Sequence, residues 1–225
     1  IGNRKMELRL KKIRLAIVGA GELGLQAMHY ATLCNPQYGT YEVTGFIDDT
    51  KCCSDTVYGL PVIGKIEDIE LLYAEKKFDA VFVAIGYKHL EFKKRLVDRL
   101  AQSIPLANIV APSVYVDKTA HLGRNVMLYP GCIIDKDVVL SDGALLNLGC
   151  VVSHNSVVGH SCFLAPRVTV AGFSTIGECS FLGAATVVID NISICQGVYT
   201  GAGATIVKDI VSPGQYIGTP AVKFK

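Results

Sequence analysis

From Val110 onward every sixth residue is aliphatic: Val110, Val116, Leu122, Leu128, Ile134, Leu140, Leu146, Val152, Val158, Leu164, Val170, Ile176, Leu182, Val188, Ile194, Thr200 and Ile206, with Thr200 the one exception among 17. A helix repeats its faces every ~3.6 residues and a strand every ~2, so neither sustains this period over about 97 residues. Such a period belongs to a β-solenoid, in which each hexapeptide supplies one short strand and one corner. Four positions after the aliphatic residue stands a small or β-branched one, as in Cys132, Ala144, Cys150, Ser156, Cys162, Val168, Ser174, Ser180 and Thr186. Three of the 8 cysteines fall on this inward phase, which fits small apolar side chains in a narrow corner better than disulfides or zinc ligands.

Residues 13–107 read as an α/β domain. An apolar strand over Leu15–Val18 leads through a glycine-rich turn into a helix, with Gly19, Gly21 and Gly24 at G-x-G-x-x-G spacing. A second strand over Val43–Ile47 ends at Asp48 and Asp49. A helix around 66–76, an apolar strand over Ala80–Ile85 closed by Gly86, and a helix over 89–102 follow. Strands alternating with helices imply a parallel sheet covered on both faces, with ligands bound beyond the carboxyl ends of its strands. Gly19, Gly21, Glu22, Asp48, Asp49 and Gly86 are therefore the candidate substrate-binding residues. The turn amides and helix N-terminus suit a diphosphate, and an aspartate suits a ribose or base. A turn of this kind also occurs without a ligand. Its place on a βαβ unit, with an acidic pair after the second strand, favours a nucleotide. The domain is short for two mononucleotide halves, which favours a nucleotide-sugar over NAD.

Among 225 residues, 22 Lys+Arg against 20 Asp+Glu leave a net charge of +2, too weak a field to call for nucleic acid or anionic lipid. Apolar runs of four or five residues fall far short of the ~20 that span a bilayer. Segment 1–12 is basic without the apolar core of a signal peptide. These features predict a soluble cytoplasmic protein with neither a nucleic-acid nor a membrane partner.

The segments VGAGELG (18–24), GFIDD (45–49), VAIG (83–86) and VVSHNSVVG (151–159), with GAGATIVKDI and GQYIGTPAVKFK closing the chain, resemble the hexapeptide-repeat acyltransferases. Within them they resemble the subfamily that acetylates nucleotide-activated amino sugars or sialic acids. The resemblance implies a Rossmann-like N-terminal domain at 13–107 and a left-handed parallel β-helix at 108–225, with three hexapeptides per triangular coil. It also implies homotrimers, acetyl-CoA in the groove between neighbouring prisms, a histidine general base and no metal.

With eighteen residues per coil, residue n lies beneath n+18. His154 then sits above Lys136 and below Gly172, Asn155 above Asp137, and His160 between Asp142 and Glu178. Acetyl transfer needs a base for the attacking group and a donor for the oxyanion. His154 is the expected base and the Gly172 amide the expected donor. Asn155 stands where relatives commonly carry a carboxylate, so either it orients the imidazole or Asp137 supplies the charge from the coil below. His160 with its acidic neighbours is a fallback dyad. CoA is expected along Gly172, Gly183, Ala184, Gly201 and Ala202, with Lys208 or Lys223 near phosphate. The expected reaction is acetyl transfer from acetyl-CoA to the amine of a nucleotide-linked amino-deoxy sugar, with sialic acid O-acetylation as the alternative. A non-catalytic scaffold, a zinc hydrase of the gamma carbonic anhydrase type and an oxidoreductase are rival classes. The spacing of His121, His154 and His160 argues against the hydrase.

Overall fold

A computed structural model describes residues 12–224; the basic segment 1–12 lies, apart from Lys12, outside the described residues. In the N-terminal domain, β1 (Ile13–Val18), α1 (Glu22–Thr32) and β2 (Tyr41–Ile47) are followed by a hairpin of β3 (Thr56–Val57) and β4 (Leu60–Gly64). Then come α2 (Ile69–Ala74), β5 (Ala80–Val83) and α3 (Leu90–Leu100). The sheet order is β3-β4-β2-β1-β5, parallel except for the edge pair β3/β4. Leu15, Ala16, Ile17 and Val18 are fully buried, because the centre of a parallel sheet is covered on both faces. Single 3₁₀ turns at Ile66–Asp68 and Tyr87–His89 precede α2 and α3, so both α-helices start later than the hydrophobic pattern predicts. The β3/β4 hairpin was not expected, since its short strands carry only a few apolar residues and a proline.

From Ile109 the chain winds into a left-handed β-helix whose strands are mostly two residues long. Register is the predicted eighteen: Ile133 pairs with Val151, Val151 with Thr169 and Thr169 with Val187. Three parallel walls result. The first climbs from Tyr115–Val116 to Thr205–Ile206, the second from His121–Leu122 to Ser193–Ile194, and the third from Ile109–Val110 to Val198–Thr200, extended by Gly214–Ile217 and Val222–Lys223. At every corner from Asn125 to Gly203 one residue takes the left-handed conformation, again at every sixth position. Asn, Asp or Gly occupies most of these, as their low cost at positive φ predicts.

The inward cysteines are more than small apolar fillers. Cys132, Cys150 and Cys162 each donate to the carbonyl fifteen residues on, at Asn147, Ala165 and Gly177, all at 3.1 Å. Ser156 and Ser174 make the same bond to Ala171 and Ile189, at 2.9 and 2.8 Å. The phase therefore selects a small side chain that also satisfies a corner carbonyl turned away from the ladder.

The α/β domain covers the third wall. Met127, Leu145, Phe163, Phe181 and Tyr199 project from it every eighteen residues, and most pack into the core that contains α1 and β1. Tyr87 lies on Phe181 and Phe163, with ring centroids 4.5 and 5.6 Å away. Polar ties fix the docking. The Asn125 amide pairs with both backbone groups of Val83 at 2.7 and 3.2 Å, and the buried Lys93 donates to Gly143 O at 2.7 Å. Burial lowers the Lys93 pKa to about 8. His160 Nε2 lies 2.8 Å from Asp98 Oδ1 on α3, off the axis of a good hydrogen bond, and Arg124 takes Asp142. The expected dyad of His160 with Asp142 and Glu178 is thus replaced by a contact with α3, which sequence columns within the β-helix could not reveal. No helix among the described residues is long and apolar enough to cross a membrane.

Candidate active site

At the carboxyl ends of β1 and β2, Gly19 adopts φ +105°, and a Cβ there would sit 2.8 Å from Ala84 O. A Cβ on Gly24 would collide with Gly19 O, so that glycine lets α1 close onto the turn, while the space around Gly21 is open. Asp48 fastens this turn: Oδ2 accepts from Ala20 N–H at 2.7 Å, and Oδ1 accepts from Thr50 N–H and hydroxyl at 2.8 and 2.6 Å. Burial pushes the Asp48 pKa up, but these hydrogen bonds and Lys51 outweigh it and hold the carboxyl below its ordinary value. Asp49 Oδ1 accepts from Ile66 N–H at 2.9 Å. Both carboxylates thus shape the crevice in addition to any contact with a ligand.

A cavity of about 370 Å³ opens there, bounded by Gly19, Asp48, Asp49, Thr50, Ile85, His89 and Phe92. Of the six residues expected to bind substrate, it gathers Gly19, Asp48 and Asp49. Gly21 and Gly86 stand open as the caps of the helical turns after β1 and β5. Glu22 borders a separate cavity, lined also by Gln26, His29, Tyr58, Tyr129 and Asn147. His89 and Phe92 were not singled out in the sequence; their only signal is their place just after VAIG.

His154 is exposed at the corner between the first and second walls. Its Nδ1 lies 3.2 Å from Asn155 Oδ1; with the proton on Nδ1, the amide oxygen accepts it and Nε2 keeps its lone pair. Asn155 is itself the left-handed corner residue, φ +60°. The ring lies against Gly172 one coil above, where a Cβ would stand 2.7 Å from Cε1, 3.0 Å from Nε2 and 3.2 Å from Nδ1. Ala171 N–H and Phe173 N–H bond to Val188 O and His154 O, whereas Gly172 N–H has no partner among the described residues. Asp137 lies 3.4 Å from Lys136 Nζ, while the imidazole's hydrogen bond goes to Asn155.

Phe173 completes this corner and was missed. Its ring meets the imidazole edge to face, with centroids 5.1 Å apart at 83°. It holds φ +58° while remaining 58% exposed. A bulky residue in that conformation costs energy that Asn or Gly would avoid. A large aromatic at a corner position shared with Asn155 and Asn191 was the available signal.

Gly183, Ala184, Gly201 and Ala202 lie together at another corner, between the third and first walls, with Gly183 directly beneath Gly201. The Gly183 N–H already bonds Thr200 Oγ1 at 2.8 Å, so any contact it makes with a ligand is by shape. Lys208 is exposed in the His154 column, three coils above it by register. Lys223 Nζ lies 3.3 Å from Ser212 Oγ near the chain end. The His154 corner is the prism edge opposite the third wall, which carries the α/β domain. One chain therefore keeps its histidine and its nucleotide crevice apart.

Residues 14–100 match the PglD N-terminal domain. No curated protein sequence matches the chain. Among solved structures, PerB from Caulobacter crescentus, in complex with CoA and GDP-perosamine, is 28% identical with a TM-score of 0.85, covering 94% of this chain and 97% of that one. The acetyltransferase domain of PglB from Neisseria gonorrhoeae, in complex with acetyl coenzyme A, is 26% identical with a TM-score of 0.84, covering 95% and 100%. WeeI from Acinetobacter baumannii, 21% identical with a TM-score of 0.61 over 94% and 99%, shares the fold. The chain thus joins a PglD N-terminal domain to a hexapeptide-repeat β-helix and resembles, along nearly its whole length, the hexapeptide-repeat sugar N-acetyltransferases.

Proposed function

We propose that the chain is an acyltransferase that moves the acetyl group of acetyl-CoA to the amine of a nucleotide-linked amino-deoxy sugar. The acyltransferase class is supported by whole-chain similarity to acetyltransferases solved with CoA or acetyl coenzyme A, and the acceptor class by the GDP-perosamine held by PerB. The observation that carries the chemistry is the imidazole of His154 lying on Gly172, whose N–H has no partner among the described residues.

The neutral sugar amine attacks the thioester carbonyl carbon, forming the C–N bond. His154 Nε2 takes the proton that the amine loses, while Nδ1–H stays on Asn155 Oδ1. Gly172 N–H holds the oxyanion. Collapse breaks the C–S bond, and the imidazolium returns a proton to the departing CoA sulfur. Because the histidine edge points away from the chain's own nucleotide domain, acceptor and base meet between copies. A trimer of apposed prisms supplies that meeting and a groove for the linear cofactor. Both co-substrates belong to the cytoplasm.

The test is thiol release from acetyl-CoA across GDP-, UDP- and dTDP-linked amino sugars and sialic acids, with the product read by mass spectrometry. An N-acetylated nucleotide-sugar supports the reading. An O-acetylated sialic acid would replace the acceptor, and no release with any of them would refute the enzyme.

A further inference from the structure

The corner between the first and second walls carries one residue per coil in the left-handed conformation: Asp137, Asn155, Phe173 and Asn191, at φ +56°, +60°, +58° and +58°. Asp and Asn reach that conformation cheaply, because a short polar side chain can hydrogen-bond locally. Phe173 cannot, and 58% of its surface stays exposed, so little burial offsets the cost. Its backbone is tied like those of its neighbours: Phe173 N–H donates to His154 O at 3.1 Å, as Asn155 N–H does to Lys136 O and Asn191 N–H to Gly172 O, both at 3.0 Å. What sets this corner apart is the ring.

That ring stands beside the proposed chemistry. It follows Gly172 in the chain and meets the His154 imidazole edge to face, with centroids 5.1 Å apart. Backbone strain held next to reacting groups points to a use for the side chain that causes it. A phenyl ring makes no ordinary hydrogen bond, so it offers this centre shape and apolar surface. Of the groups that meet there, the amine, the oxyanion and the sulfur are polar or charged. The apolar ones are the tail of the acyl group and the CoA methylene beside the sulfur. The tail is close by construction: with its oxygen about 2.9 Å from Gly172 N, the carbonyl carbon lies within ~4 Å of that nitrogen. The Phe173 Cα is one peptide, ~3.8 Å, from the Gly172 Cα.

Resting on the acetyl-transfer reading above, we infer that Phe173 determines which acyl group is transferred. Its ring walls the space beyond the carbonyl carbon, leaving room for a methyl at contact distance, ~3.8 Å, and none for a longer chain. Asn in its place, as in the coils below and above, would leave that space open.

Thiol release by the full chain from acetyl-, propanoyl- and butanoyl-CoA, with the GDP-, UDP- and dTDP-linked amino sugars as acceptors, tests this. Wild-type kcat/KM should fall by about tenfold or more per added carbon, the scale that one methylene carries in an apolar pocket. Phe173→Asn should lower kcat/KM for acetyl-CoA and raise it for butanoyl-CoA, bringing the three donors within about threefold of one another. Phe173→Tyr keeps the ring and should retain the wild-type ratio. Asn holds the same corner at 155 and 191, so a changed ratio would not reflect misfolding. Wild-type turnover of butanoyl-CoA as fast as of acetyl-CoA would overturn the selectivity and leave the acyltransferase reading standing. An equal loss for all three donors in Phe173→Asn would do the same, assigning the ring to the imidazole or to the methylene that every acyl-CoA shares. No thiol release by wild type from any donor would overturn the acyltransferase reading and the selectivity with it.

Discussion

Replacing Gly172 by alanine adds one carbon at the centre of the proposed chemistry. The three atoms nearest that carbon all belong to the His154 ring, at 2.7, 3.0 and 3.2 Å. Ordinary contact begins near 3.4 Å, so the ring must retreat by 3.4 − 2.7, about 0.7 Å at Cε1. The imidazole is exposed and can swing outward, so folding is little affected; the melting temperature should move by less than about 2 °C. Catalysis has no such tolerance, since a misplacement of about 1 Å costs roughly 100-fold. Alanine keeps the backbone N–H, so the loss reports the position of the base and not removal of the oxyanion donor. Steady-state thiol release should show kcat reduced by about 100-fold. In a His154→Ala background the same change should cost little more, because the group it displaces is gone. Wild-type kcat in Gly172→Ala, or a full additional 100-fold loss in the double variant, would refute this placement.

Asn155→Gly keeps the left-handed corner and removes only the amide, so kcat should fall by about tenfold, read by thiol release with melting temperature as the control. Asn155→Asp should move the acid limb of the pH–rate profile to higher pH, because a carboxylate favours the imidazolium. Phe173→Asn should raise stability by roughly 1 kcal/mol through relief of the left-handed backbone while lowering kcat, a trade measurable by urea unfolding beside activity. Lys93 has a folded pKa lowered to about 8 by burial. Between about pH 8 and the unfolded value near 10.4, the unfolded chain holds a proton the native one has lost, so stability rises with pH by up to ~1.4 kcal/mol per unit. Lys93→Met should flatten that rise, as read by urea unfolding at two pH values. Asp48→Asn removes the charge that gathers Ala20 and Thr50, and should cost about 1–3 kcal/mol and weaken binding of whichever nucleotide-sugar the screen identifies, checked by unfolding and by calorimetry.

The six-residue ladder in the sequence specified coil, register and corner, because each inward aliphatic must stack on the one eighteen residues away. That is why Gly172 could be placed over His154 from arithmetic. The docking of the two domains was harder to see, although its trace is present. Outward positions 127, 145, 163, 181 and 199 are all large and apolar, while those of the second wall are His121, Val139, Val157, Thr175 and Ser193. An eighteen-residue period of outward apolar residues marks the covered wall. The β3/β4 hairpin escaped because a short edge pair with one outward face needs few apolar residues. Asp48 was legible as a crevice residue but not as the clasp of the glycine turn, since the bond to Ala20 spans 28 residues. The contact of His160 with Asp98 was hidden because it depends on where α3 lies against the β-helix.

The account stands most directly on the turnover of His154→Ala with acetyl-CoA and the acceptor identified by the screen. The prediction is a kcat lowered by about 10²- to 10⁴-fold, with CoA affinity and melting temperature unchanged. Wild-type turnover in that variant would contradict the assignment of His154 as the base.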